Sequence, residues 1–159
     1  MERERVKHVY KVLAYLIAVE VAVQAAAAVW FEAGLTVFIG QGGVLDKTLA
    51  ESGEVPFIEV FGLVVHGLNG MFAIPALALI LLICSFWAKV PGAVKAAGLV
   101  LLLVVLQVTF GIMGGNIPLM GAVHGINALL LFAAALYAAR LKAAAQVPAT
   151  REAQPAAHA

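Results

Sequence analysis

The sequence predicts an all-α membrane protein: an up-down-up-down bundle of four transmembrane helices with both termini on the cytoplasmic side. Three observations predict it. Of 159 residues, 64% are hydrophobic and 12% charged, with a mean hydropathy of +1.01, so water is not the main solvent of this chain. Four apolar runs, at 12–38, 60–87, 93–113 and 119–141, each reach the roughly 20 residues needed to cross a hydrocarbon core. The ten basic residues are unevenly placed. Arg3, Arg5, Lys7 and Lys11 precede the first run, Lys89 and Lys95 lie around the second connection, and Arg140, Lys142 and Arg151 end or follow the fourth. Lys47 alone falls on the far side, and the positive-inside rule then sets both termini inside.

The first span is longer than a bilayer needs, so it tilts or projects. Its charged leader and the alanines at 25–28 imitate a signal peptide, but the leader mixes Glu with Arg and the apolar run outlasts a signal core. The connection 39–59 holds Gly40, Gln41, Gly42 and Gly43, the acids Asp46, Glu51, Glu54 and Glu59, and Pro56. It reads as a flexible lid or cap rather than a strand. In the second span Pro75 lies mid-helix, where it is expected to bend the helix and free the carbonyl of Met71. Tight turns around Pro91 and at 114–118 join spans two, three and four, forcing antiparallel neighbours. The four spans make one domain, 1–142. An Ala, Pro and Gln-rich segment, 143–159, is expected to be a flexible cytoplasmic tail. The lone Cys84 excludes an internal disulfide and, without CxxCH, covalent c-type haem attachment. The basic residues are accounted for by topology, and no nucleic-acid patch, phosphate loop or Ser-His-Asp set is present.

Two spans carry the same short motif. Val65-His66-Gly67-Leu68-Asn69 in the second is matched by Val123-His124-Gly125-Ile126-Asn127 in the fourth, and a fainter echo pairs Gln24 in the first with Gln107 in the third. Two hairpins of like direction, related by an axis along the membrane normal, would produce this pattern. Each His follows the start of its span by about six residues, which puts both about 10 Å below the outer surface. Spans two and four are diagonal in an up-down bundle, with axes about 11–14 Å apart. Two imidazoles facing across that gap leave space for one flat metal centre, the arrangement of a haem iron with two axial histidines. Zinc or copper would want further N, S or O ligands at that depth, and the sequence offers none. Gly67, Gly70, Gly121 and Gly125, with Ala122 and Ala128, would clear room for a macrocycle. Phe61, Phe72, Phe110 and Phe132 would line its edges. Asn69 and Asn127, on nearly the same helix face as each His, either meet a propionate or carbonyl or tie helix to helix. Glu20 is the one carboxylate at membrane depth, placed to relay a proton, to meet a partner subunit or to bond with Gln24.

A four-span bundle with membrane histidines on alternate helices resembles one half of haem A synthase and, more loosely, cytochrome b561-type and other small membrane cytochrome b proteins. It also resembles a family of short bacterial four-span proteins with a His early in the second span and an L-H-x-x-N-like motif in the fourth. The resemblance implies one haem b per chain with His66 and His124 as its axial ligands. Haem A synthase has eight helices and a Glu four residues before a His; here position 62 is Gly62, so its catalytic apparatus is unmatched.

The expectation is therefore a multi-pass protein of a prokaryotic cell membrane, carrying electrons through a bis-histidine haem b. Cofactor contacts are expected at His66, His124, Gly67, Gly125, Asn69 and Asn127. Its expected partners are the lipid bilayer, quinol or an outer-face redox protein, and other membrane subunits. The competing expectation is a haem-free helical subunit or small transporter in which the His and Asn pairs serve packing.

Overall fold

The computed structural model of the protein describes residues 2–141; the tail expected at 143–159 lies outside the described residues. The elements are α1 (Glu2–Gly40), α2 (Lys47–Glu51), α3 (Val60–Leu68), a π-helical turn (Asn69–Ala73), α4 (Ile74–Ala88), α5 (Ala93–Gly114) and α6 (Pro118–Arg140). Four helices are long and apolar enough to cross a membrane: α1, the continuous α3–π–α4 rod, α5 and α6. The charged leader belongs to the first helix rather than preceding it. Lys7 Nζ lies 2.7 Å from Glu4 Oε1 there. With 39 residues, α1 is about 58 Å long, more than the roughly 40–45 Å of a whole bilayer.

The bundle is four-cornered. Helix α1 packs on the second rod and on α6, and α5 packs on α4 and α6, so spans two and four are diagonal as the short turns require. At the end where α1 starts and α6 finishes, the basic end, the helices meet through small side chains. Ala14 and Ala18 of α1, Ala78 of α4, Ala96 and Ala97 of α5, and Ala135 and Ala138 of α6 are buried. Small residues bring backbones close and favour dispersion contacts between helices, which is the main attraction available where the surroundings are as apolar as the side chains. Tyr10 is buried in this half, and its hydroxyl donates to Ala93 O at 3.3 Å, fastening the start of α1 to the start of α5.

The opposite, loop end is organised differently. Helix α3 packs chiefly on α1 there. A Cβ on Gly62 would collide with Ala27 O, so glycine is what admits α3 to the α1 backbone. The expected flexible lid is tethered: Phe57 packs on Phe31 and Phe38 with ring centres 6.0 and 5.1 Å apart. Asp46 caps the short α2, its Oδ1 accepting from Leu49 N at 2.8 Å. The expected disturbance at Pro75 takes the form of the π turn, in which Ile74 N–H reaches back five residues to Asn69 O. Proline has no N–H to give, and its ring crowds the preceding turn, which a wider turn relieves.

Candidate functional site

His66 sits on α3 just before the π turn, and His124 lies in the second turn of α6. Their ring centres are 5.9 Å apart with 57° between the planes. Each ring is held from behind by the neighbouring odd-numbered span. His66 Nδ1 is 3.1 Å from Gln24 O of α1, and His124 Nδ1 is 2.9 Å from Gln107 O of α5. A backbone carbonyl only accepts, so both Nδ1 atoms carry the proton and both Nε2 atoms keep the lone pair.

The asparagines continue the pattern. Asn69 Nδ2 donates to Glu20 Oε2 at 2.8 Å, and Asn127 Nδ2 donates to Leu103 O at 2.9 Å. Glu20 lies four residues before Gln24, and Leu103 four before Gln107, so the two hairpins repeat one bonding register. Asn69 and Asn127 therefore tie helix to helix, and neither lines the cavity described below. Glu20, open to a bond with Gln24 in the sequence, pairs with Asn69 instead, because the π turn brings Asn69 against α1.

Both histidines line a cavity of about 680 Å³, within the roughly 300–1,000 Å³ common for small-molecule and cofactor sites. Gly67, Gly70 and Gly125 line it with both histidines, Gln24 and Gln107. A Cβ on Gly67 or Gly125 would meet nothing within 4 Å, so these glycines face open space. Of the four phenylalanines expected at its edge only Phe132 lines it; Phe61 and Phe72 are exposed on the outside of the rod. Ala128 lines it, whereas Ala122 and Gly121 do not; Gly121 instead receives Gly114, whose added Cβ would come within 3.2 Å of the Gly121 nitrogen. Val29, Met71, Ile112 and Leu129, all largely exposed, form rims where the cavity reaches the outside of the bundle.

The two halves differ in one respect. Gln107 Nε2 donates to His124 Nε2 at 3.0 Å while its Oε1 accepts from Asn127 Nδ2 at 2.6 Å, so the chain Asn127–Gln107–His124 is closed on itself. Gln24 is buried, and its Nε2 has no hydrogen-bond partner among the described residues. The glutamines are thus site residues that the sequence marked only through the faint Gln24/Gln107 echo. Gly111 is another: a Cβ there would stand 3.2 Å from His124 Cε1 and Nδ1. Among the described residues no three His, Cys, Asp or Glu side chains come together as a metal cluster. No family model, curated protein or solved structure matches this chain.

Proposed function

We propose that this chain is a haem b protein of a prokaryotic cell membrane, one haem per chain, with His66 and His124 as axial ligands and single-electron transfer as its role. The observation that carries the reading is the pairing of two imidazoles in one cavity, each with Nδ1–H bound to a backbone carbonyl. Metal-ligating histidines commonly fix their second nitrogen in this way, which sets the tautomer and aims Nε2. With ring centres 5.9 Å apart, His66 and His124 are close enough that both would hold one metal centre.

The chain's other residues fit the same occupant. Gly67 and Gly125 leave the flanks beside each ligand clear, and the orphan Gln24 amide offers a donor to an acceptor on the occupant's edge. Two nitrogen donors without a third ligating side chain suit an iron whose equatorial positions are already filled. When bound, haem supplies reversible one-electron chemistry. The protein's part is to hold the two imidazoles, exclude water and leave a rim through which a donor reaches the site. A position near the loop end favours quinol or an outer-face redox protein, or a further membrane subunit, as that donor.

The haem-free reading has one observation in its favour: the closed Asn127–Gln107–His124 chain is satisfied without a ligand. Absorption spectra of the detergent-purified protein, oxidised and dithionite-reduced, separate the two. Sharp low-spin haem bands in the wild type, lost in His66→Ala/His124→Ala, support the cytochrome. A colourless protein from haem-replete cells, with only a mild loss of stability in His66→Gln and in His124→Gln, supports the packing reading.

A further inference from the structure

We infer that the two histidines are not equivalent, and that Gln107 is a displaceable internal cap on His124, so that iron is taken first by His66. The inference rests on the haem reading above. Its basis is the one break in the repeated bonding register. On the α1 side, Gln24 gives its backbone carbonyl to His66 Nδ1 but keeps its side chain away from Nε2, which has no hydrogen bond among the described residues. On the α5 side, Gln107 gives both its backbone carbonyl and its amide to the same ring, at 2.9 and 3.0 Å.

Amide orientation makes this cap directional. Asn127 meets Gln107 through Nδ2, which only donates, so Gln107 must present Oε1 to Asn127 and Nε2 to His124. The lone pair that a metal would use on His124 is therefore already engaged, whereas that of His66 is open. Ligation by His66 breaks no bond; ligation by His124 breaks the Gln107 Nε2 bond to its ring and, as the amide turns away, the Gln107 Oε1 bond to Asn127. Asn127 keeps its bond to Leu103 O when Gln107 turns, so only one of its two N–H groups is released. A net hydrogen bond of this kind corresponds to about 2- to 10-fold in an equilibrium constant.

Haemin titration of the full chain in detergent, followed by absorbance and by electron paramagnetic resonance, tests this on the wild type, His66→Ala, His124→Ala, Gln107→Leu and the two Gln107→Leu/His→Ala double variants. Both single His variants are expected to give high-spin iron, with His66→Ala weakened about 2- to 10-fold more than His124→Ala. That gap is expected to close in the Gln107→Leu background, and Gln107→Leu alone is expected to tighten wild-type binding by a similar factor. A merely structural Gln107 would shift thermal unfolding without removing the gap. His66→Gln and His124→Gln form a second pair if either alanine variant does not purify as a single species. Equal weakening by the two His variants, or a gap that persists in the Gln107→Leu background, overturns the cap while leaving the haem reading intact. Absence of haemin uptake by the wild type overturns both.

Discussion

The position of a single proton governs what each imidazole is able to do, and in both rings the backbone places it. A carbonyl from the adjacent helix binds Nδ1–H, which leaves Nε2 as the only basic nitrogen and points it away from that helix. The chemistry at this scale was partly legible. His66 and His124 stand out because polar side chains at membrane depth are costly, and the repeated pentapeptide pairs them. Gln107 was not legible as a cap, since which way an amide turns depends on Asn127 across the helix interface and not on its own neighbours in sequence. The open flanks give a direct prediction: Gly67→Ala and Gly125→Ala bind haemin like the wild type, whereas Gly67→Leu and Gly125→Leu fill the space and abolish uptake in the same titration. Gly111→Ala differs, because its methyl presses on His124 itself; the expected result is an altered low-spin spectrum with thermal stability within about 1 kcal/mol of wild type.

Among the elements, the second rod is the instructive one. Hydropathy and the flanking turns give its ends, and Pro75 marks where it cannot be a plain α-helix. That the disturbance becomes a π turn, and that the turn delivers Asn69 to Glu20, depends on the packing of α1 alongside it. Removing the carboxylate's acceptor tests this tie. Glu20→Leu leaves Asn69 without its partner and is expected to lower stability by about 0.5–1.5 kcal/mol, while Glu20→Gln, which keeps an acceptor oxygen, stays near wild type in detergent thermal unfolding. The two parts of the rod also differ in how they are held. Because α3 rests chiefly on α1 while α4 meets both α1 and α5, amide exchange by mass spectrometry is expected to be faster across Val60–Leu68 than across Ile74–Ala88. On the proposed haem reading, added haemin is expected to slow exchange selectively in the former.

Taken whole, the molecule is closed at its basic end and divided at its loop end. The alanine seam accounts for the closed half: Ala97 and Ala135 are fully buried. Ala97→Leu is therefore expected to cost about 1–3 kcal/mol through overpacking, with the haem spectrum unchanged, in parallel melting and absorption measurements. Four spans, their order and the diagonal placement of the histidine-bearing pair all followed from apolar length and short turns. The division did not, because small residues look alike in composition, although the buried alanines and Gly62 bring helices together while Gly67 and Gly125 face open space. The rims of that space, at Val29, Met71, Ile112 and Leu129, open on the apolar outside of the bundle. In a bilayer, acyl chains would then compete for this opening, and a change in tail length or unsaturation would be expected to tune its occupancy without altering a residue.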